Sequence, residues 1–350
     1  MSDDDAAQAS ATSTDWKSVG SRTFAKFLGD QGPDLAAALT YYSMMSIFPM
    51  ILAISTSLSF LGQGGATNDA IADLGGELGM DDSTIETVQS YLESMSRSDG
   101  AGALLVIGLL GSLWSASNYV NAFSRMMNVV YDTEEGRPVW KLRPWLLLVT
   151  VVVMLMLMLI VLSVTLSGTI AEAVFGIIGL SGTATTVWNI AKWPVILVIL
   201  MTIVGLLYWG TPNVRQPTFL WLSPGAVLAV LTSIVAGAGF FLYAMNSGSY
   251  NATYGALGGV IILLLMVWLI NVALVLGAEL DAEIERGRQL AAGMAAEEDI
   301  LLPPRDLQGT AKKREKEDEM VRAARERRMR AADELEADGE PLGLEGRGAE

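Results

Sequence analysis

The fold is decided by residues 216 to 278, which read QPTFLWLSPGAVLAVLTSIVAGAGFFLYAMNSGSYNATYGALGGVIILLLMVWLINVALVLGA. These 63 residues contain no aspartate, glutamate, lysine, arginine or histidine. A helix crosses a bilayer with about 20 apolar residues, so the stretch is long enough for two crossings joined by a short connection. Residues 246–251, which read NSGSYN, favour a turn at that connection. The stretch therefore predicts an integral membrane protein.

Four more apolar stretches lie nearer the N-terminus, and one of them contains 28 consecutive uncharged residues, from Pro144 to Ala171. Backbone N–H and C=O groups find no water in lipid, and the alternating pattern of barrel strands is missing, so the spanning segments are expected to be helical. The predicted fold is all-α, a polytopic membrane protein with six transmembrane helices near residues 35–61, 102–127, 144–170, 188–209, 218–245 and 253–279.

Lysine and arginine residues predict the orientation of these spans, because cytoplasmic loops carry an excess of them. Basic residues concentrate in alternate connections, whereas the connections between contain only Arg97. This alternation predicts that the N- and C-termini are both cytoplasmic. The basic connections hold Lys17, Arg22, Lys26, Arg137, Lys141, Arg143, Arg215, Arg286 and Arg288.

Three regions are expected along the chain. Residues 1–34 form a cytoplasmic arm with a short amphipathic helix at Trp16–Gly29, unless the arm is a disordered leader. Residues 35–285 form the six-helix domain, whose extracytoplasmic loop 62–101 is either helical over the outer face or a solvated acidic loop. Residues 286–350 form a charged, partly disordered cytoplasmic tail, part of which is expected to be a solvent-exposed helix held by i,i+4 charge pairs.

Composition excludes several classes of function. The chain has no cysteine and no histidine, which removes disulfides, Cys-ligated metal sites, the usual general base and the usual proton relay. The net charge of −15 argues against a nucleic-acid partner. No phosphate-binding loop, nucleophile elbow or zinc-protease motif occurs in the sequence. We therefore expect no catalytic residues, no metal site, no cofactor and no enzymatic activity.

The candidate binding residues are polar side chains inside the predicted spans. Asn118, Asn121 and Arg125 follow Trp114 at i+4, i+7 and i+11, which places all four on one stripe of a helix. Amides in a membrane helix need partners in the bundle interior or a wet cavity, although interhelical hydrogen bonding alone is an alternative. The predicted substrate-binding set comprises Tyr41, Tyr42, Ser46, Asn118, Asn121, Arg125, Tyr208, Asn271 and Glu279.

Six motifs give the chain a family resemblance. In order along the chain they are LAAALTYYSMMSIFP at 35–49, LWSAS at 113–117, YWGTPN at 208–213, WLSPGA at 221–226, YNATYGALGG at 250–259 and GAELD at 277–281. This order resembles the YihY/BrkB family of bacterial inner-membrane proteins over roughly residues 16–288. The resemblance implies six spans without a settled biochemical activity, since the family names record an old ribonuclease label and a link to serum resistance.

The expected function is that of a transporter-like membrane protein. A lipid, or another amphiphilic or anionic solute, would pass through a polar cavity open to the cytoplasm, with Arg125 attracting its phosphate or carboxylate. Membrane lipids are the expected partners. The alternative is a non-transporting scaffold for an envelope complex. A membrane ribonuclease is disfavoured, because the chain has no histidine and its acidic cluster lies beside lipid.

Overall fold

The computed structural model describes residues 16–60, 85–86, 89–90, 101–165, 182–216, 222–246 and 256–337. Across these ranges all extended regular structure is helical, and it is divided among eight helices. They are α1 (Trp16–Gly29), α2 (Gly32–Phe60), α3 (Ala101–Val130), α4 (Val139–Thr165), α5 (Gly182–Gly210), α6 (Pro224–Asn246), α7 (Ala256–Ala291) and α8 (Gln308–Ala337).

Helices α2 to α7 overlap the six stretches that the sequence marks as spans. Within the described residues, three helical segments are long and apolar enough to cross a membrane, namely Val139–Val164, Thr186–Gly210 and Ile261–Ala291. A shorter apolar segment runs from Pro224 to Gly239. The all-α class and the apolar helices of a membrane protein are therefore as predicted, while the crossing of all six helices and the side on which the termini lie stay predictions.

The six long helices pack as a closed ring in chain order. Each of α2 to α6 contacts the next helix, and α7 returns to contact α2. Helix α3 also contacts α5 and α7, so its buried face lies at the centre of the bundle. Phe123, Met126 and Met127 form that face and pack with Leu39 of α2 and Val275 of α7.

The outer surface of the ring is apolar. Large hydrophobic side chains stand exposed along α4 and α6, among them Leu155, Leu159, Val235 and Leu242. Water would disfavour such a continuous apolar surface, whereas acyl chains solvate it. This distribution is the one expected for helices that face lipid.

One end of the ring, which we call the basal end, gathers several connections. It carries α1, residues 131–138, residues 211–216 and the basal segment, residues 292–307. Main-chain hydrogen bonds connect these parts: the N–H of Arg305 in the basal segment donates to the carbonyl of Asn213 over 2.9 Å, and that of Gly309, at the start of α8, donates to the carbonyl of Gly136 over 2.6 Å. The basal segment is thereby held as a strap across the basal end.

Both ends of the described chain lie at the basal end. The ammonium of Lys26 in α1 lies 3.1 Å from the carboxylate of Asp132, directly after α3. Lys141 lies 2.7 Å from Asp306 in the basal segment, and its hydrogen bond holds the pKa of the Asp306 carboxyl below its ordinary value. Helix α8 then leaves the body of the protein almost fully exposed, with Arg330 and Glu326 in an i,i+4 pair at 3.5 Å.

Parts of the sequence prediction fall outside the described residues. Loop 62–101 is described only at Ile85, Glu86, Gln89 and Ser90, which are helical, and at Ala101, where α3 begins. The predicted disorder beyond Ala337 concerns residues that the structure does not describe. The predicted exposed helix in the tail corresponds to α8.

Candidate functional site

A buried polar network fixes the basal end of α3, α4 and α5. The guanidinium of Arg137 donates to the carbonyl of Thr211 over 2.7 Å, to the hydroxyl of Ser124 over 3.1 Å and to the carboxylate of Glu135 over 2.6 Å. The Ser124 hydroxyl in turn donates to the Thr211 carbonyl over 2.7 Å. Arg137 is 9% exposed, so its charge depends on these partners rather than on water.

Asn213 extends this network to the basal segment. It is fully buried, and its N–H donates to the side-chain oxygen of Asn128 over 2.8 Å. Its side-chain amide donates to the carbonyls of Glu134 and Asp306 over 2.9 and 3.0 Å. Asn213 therefore joins three separate connections, which accounts structurally for the asparagine that ends the YWGTPN motif.

Helices α6 and α7 meet at two glycines beside this network. A methyl group on Gly225 would lie 2.0 Å from the carbonyl oxygen of Gly277, and one on Gly277 would lie 2.4 Å from that of Gly225. The carboxylate of Asp281 caps the start of α6, because it accepts hydrogen bonds from the Ser223 hydroxyl over 2.5 Å and from the Gly225 N–H over 2.7 Å. The close approach and the cap together fix α6 against α7.

A cavity of about 170 Å³ opens between α5, α6 and α7 at the basal end. Its polar lining includes the phenols of Tyr131 and Tyr208 and the charged groups of Asp281, Glu285 and Arg288. Tyr208 is the member of the predicted binding set that lines this cavity. Its hydroxyl donates to the carbonyl of Leu274 over 2.5 Å, so the phenol is already committed to a helix-to-helix contact.

A charge cluster joins α1 to the basal half of α7. Glu283 accepts from Arg22 of α1 at 3.0 Å and from Arg286 at 2.9 Å. Lys26 of α1 lies 3.2 Å from Asp30 and 3.1 Å from Asp132, and Arg286 lies 3.5 Å from Asp132. Each of these three basic residues is thus paired with at least one carboxylate.

Glu279 lies one helical turn before Glu283 and differs from it in having no partner. Its exposed fraction is 0%, and neither carboxylate oxygen has a hydrogen-bond donor among the residues that the structure describes. The charged groups that interact with it are Lys26, Asp30, Asp132 and Glu283. Among the described residues, no three or more acidic side chains are grouped closely enough to hold a metal ion.

The predicted stripe of α3 lies on the outer side of the ring. Trp114 is 61% exposed and Arg125 is exposed, while Asn118 and Asn121 between them are half-buried. The face of α3 that packs into the bundle is the neighbouring one, with Ser117 and Phe123 buried. The sequence expectation that the stripe faces the bundle interior is therefore not what the structure shows.

Two arginines contact aromatic rings along this stripe. The guanidinium carbon of Arg125 lies 5.7 Å from the centroid of the Tyr42 ring, and that of Arg143 in α4 lies 5.8 Å from the Trp114 ring. Both distances suit a cation–π contact. We call the surface formed by Trp114, Asn118, Asn121, Arg125 and Arg143 the outer stripe. From Trp114 to Arg125 it extends about 16 Å along α3.

The remaining predicted residues divide between the outer surface and the helix interfaces. Tyr41 is exposed beside Tyr42, with the two rings 5.3 Å apart. The Ser46 hydroxyl donates to the carbonyls of Tyr42 and Ser115 over 2.8 and 3.2 Å, which fastens α2 to α3.

Asn271 is the most completely bonded member of the predicted set. It is 1% exposed, accepts from the Tyr119 hydroxyl over 3.1 Å and donates to the Thr40 hydroxyl over 3.2 Å. Its amide also donates to the carbonyl of Val267 over 3.0 Å. Asn271 thus ties α7 to α2 and α3, which is the interhelical role that the sequence analysis kept as an alternative.

The structure therefore brings Tyr41, Tyr42, Asn118, Asn121 and Arg125 together on the outside and leaves Ser46, Tyr208, Asn271 and Glu279 at separate helix contacts. Sequence reasoning missed Arg137, Arg143 and Asn213 as contributors to either site. The sequence does show that Arg143 immediately precedes an uncharged stretch, a position from which it reaches the membrane region.

Comparisons with known proteins give a family and two informative relatives. The family model described as "Virulence factor BrkB" matches residues 23–299. The putative ribonuclease-like protein YfkH of Bacillus subtilis (strain 168) is 27% identical over 267 residues, which cover 76% of this chain and 95% of that protein. A UPF0761 membrane protein of Xanthomonas axonopodis pv. citri (strain 306) is 26% identical over 271 residues. These residues cover 77% of this chain but 62% of the Xanthomonas protein. No solved structure matches.

Proposed function

The chain belongs to the virulence factor BrkB family of membrane proteins, and from this premise we propose that it binds an anionic phospholipid on the outer stripe and moves it along α3. The observation that carries the proposal is the stripe itself: two guanidinium groups and two amides on the outer surface of an apolar helical ring.

The proposal includes six crossings with cytoplasmic termini in the inner membrane. Contacts of Lys26 with Asp132 and of Asn213 with the basal segment bring the beginning and end of the described chain to one end of the ring. That arrangement supports an even number of crossings. The basal end also carries the basic connections at 131–143 and 211–216, which supports its assignment to the cytoplasmic side.

Polar side chains on a lipid-facing surface need a polar partner. The structure shows no hydrogen bond from the side chains of Asn118 or Asn121 within the part of the chain that it describes. An amide left unbonded in hydrocarbon costs about 1–3 kcal/mol, and a lipid headgroup that descends along the stripe would satisfy it. Arg125 and Arg143 add two positive charges, and the stripe contains no carboxylate to neutralise them. This charge selects an anionic headgroup.

The same surface offers a place for acyl chains, which favours a lipid over a soluble anion. Leu110 precedes Trp114 by one helical turn and is similarly exposed. Arg125 lies at one end of the stripe and Arg143 reaches Trp114 near the other, beyond which the exposed surface of α3 is apolar at Leu110. A phospholipid with its phosphate at Arg125 would lay its acyl chains against Leu110 and the exposed side chains of α4.

The first test removes both charges of the outer stripe. We expect Arg125→Gln combined with Arg143→Gln to lower the amount of phosphatidylglycerol retained over phosphatidylcholine by about thirtyfold, since each basic residue near the membrane surface contributes about 1 kcal/mol. The full-length protein is reconstituted in nanodiscs of the two lipids, and retained lipid is measured by native mass spectrometry. Translocation of a labelled phosphatidylglycerol in vesicles should fall in parallel.

The matched control removes two charges elsewhere. Arg322→Gln combined with Arg325→Gln on exposed α8 should leave lipid selectivity unchanged. An equal loss in both double variants would refute the outer stripe as the binding surface. If soluble glycerol 3-phosphate competed for the stripe as effectively as the lipid does, the ligand would instead be a free organic phosphate.

A scaffold role is the second candidate, and the exposure of α8 favours it. All residues from Ala311 to Ala331 are exposed on a helix that leaves the body of the protein. Under this candidate, removal of residues 311–350 abolishes function, whereas translocation along the outer stripe survives it. A ribonuclease activity, which the name of the Bacillus relative suggests for that protein, is not proposed here, because the chain has no histidine and a net charge of −15.

A further inference from the structure

The three acidic residues at 279–283 of α7 have unequal surroundings. Asp281 is bonded to Ser223 and to the Gly225 N–H, and Glu283 is paired with Arg22 and Arg286. Glu279 is fully buried, and within the described part of the chain both of its carboxylate oxygens lack a hydrogen-bond donor. An isolated carboxylate is far more costly to bury than a neutral carboxylic acid. Its surroundings therefore call for a neutralising ligand.

Neighbouring basic groups do not supply that neutralisation. Lys26 is placed between Asp30 and Asp132, and Arg22 is bound to Glu283. Arg286 is bound to Glu283 and also donates to the carbonyl of Glu298 over 2.7 Å.

The other helices packed against α7 place no further basic side chain near Glu279. Helix α6 has no charged residue, α2 has only the exposed Asp34, and α3 has only the exposed Arg125. Beyond the basic groups already paired, Glu279 faces Asp30, Asp132 and Glu283, with Tyr131 near the same group of acids.

We propose that Glu279 is a proton-binding site, carrying its proton when Lys26 holds α1 against Asp132 and giving it up when that contact opens. The step is a simple acid dissociation: the O–H bond of the carboxyl group breaks, the proton passes to water at the basal end, and the carboxylate keeps the electron pair. Coupling of this step to lipid movement rests on the proposed function, whereas proton binding itself does not.

Lys26 provides the structural link between the proton and the position of α1. A charged Glu279 would compete with Asp132 for the Lys26 ammonium, because Lys26 is the basic group that interacts with both. Moving Lys26 breaks its contact with Asp132, which joins α1 to the residues after α3. Loss of the proton therefore loosens α1 from the residues after α3, and rebinding of the proton restores the Lys26–Asp132 contact.

The proton is tested directly by infrared spectroscopy of the full-length protein in lipid nanodiscs. We expect a protonated-carboxyl band near neutral pH that disappears on going to about pH 9 or above and is absent in Glu279→Gln. The matched control, Glu319→Gln on exposed α8, should retain the band. A spectrum identical in wild type and Glu279→Gln overturns the proposal, and so does a band that responds to Na⁺ concentration at fixed pH.

Thermal unfolding gives a second readout that does not depend on spectral assignment. Glutamine is a neutral mimic of the protonated acid, so Glu279→Gln should fold. Between about pH 6 and pH 9 the thermal unfolding midpoint of the wild type should fall by about 3 °C more than that of the variant. The reason is that only the wild type releases the Glu279 proton when it unfolds. Parallel pH profiles contradict the proposal. A negative result for the Arg125→Gln and Arg143→Gln variant would not affect the infrared band or the unfolding profile of Glu279. The lipid-binding proposal and the proton-binding proposal can therefore fail separately.

Discussion

Replacing Gly225 by alanine is expected to lower the free energy of unfolding by about 3 kcal/mol, an effect at the upper end of the range for overpacking a tight interface. The added methyl group would lie 2.0 Å from the carbonyl oxygen of Gly277 and 2.6 Å from the carboxyl carbon of Asp281. A backbone carbonyl cannot swing aside as a flexible side chain does, so α6 must move away from α7. That movement also disturbs the Asp281 cap on α6.

Gly237 offers a matched control in the same helix. A methyl group there meets no atom within 4 Å, so Gly237→Ala should change stability by about 1 kcal/mol at most. The measurement is thermal unfolding of both variants in the same detergent or nanodisc. Equal behaviour of the two variants would mean that the α6–α7 contact is looser than described, and that the small residues of the WLSPGA and GAELD motifs serve another purpose.

Arg137→Leu is expected to lower the free energy of unfolding by about 3 kcal/mol. The substitution removes the guanidinium donors of the Glu135 carboxylate and one of the two donors of the Thr211 carbonyl, and removing one partner of a buried polar pair leaves the other uncompensated. Because the same network holds Asn213 and the basal segment, hydrogen exchange of residues 301–310 should accelerate in the variant. Arg137→Lys should restore only part of the loss, since an ammonium cannot reproduce the forked donor geometry.

The control for this prediction is an arginine in an exposed pair. Arg330 lies 3.5 Å from Glu326 on α8, with both side chains largely in solvent. Such pairs contribute little, so Arg330→Leu should give no measurable change in the unfolding midpoint. If Arg137→Leu also left the unfolding midpoint unchanged, the hydrogen-bond network around Arg137 would not be what fixes the connections between helices.

The positions of the long helices could be predicted from the sequence because charge is costly in lipid. Of the uncharged stretches at 144–171 and 216–278, residues 144–165 lie in α4, residues 224–246 form α6 and residues 256–278 lie in α7. Ring closure between α2 and α7 could not be predicted, since hydropathy contains no information on which helices are neighbours. That closure depends on pairs such as Asn271 with Thr40, which are distant in sequence.

The outer stripe shows a different limit of prediction from the sequence. Helical spacing correctly places Trp114, Asn118, Asn121 and Arg125 on one side of α3, but periodicity does not say which side faces the bundle. The answer depends on the competing face, where Ser124 bonds to Thr211 and Phe123 stacks 6.1 Å from Tyr208. In a membrane helix both faces are largely apolar, so polarity alone does not identify the buried one.

Glu279 and Glu283 illustrate why the charge cluster could not be resolved in advance. Both lie on one face of α7 at the predicted inner end of the last span. Their difference arises from α1, which places Arg22 beside Glu283 and directs Lys26 to Asp30 and Asp132. Only the docking of a separate helix decides which carboxylate is paired.

Photo-crosslinking from the outer stripe to lipid tests the account most directly. The chain contains no cysteine, so a single Asn118→Cys substitution carries a photoreactive label without background. In vesicles containing phosphatidylglycerol and phosphatidylcholine, we predict adducts enriched in phosphatidylglycerol at position 118 and none from the buried control Val120→Cys. Adducts to other helices of the same protein, or lipid adducts without preference for the anionic headgroup, would contradict a lipid-binding stripe on the outside of the ring.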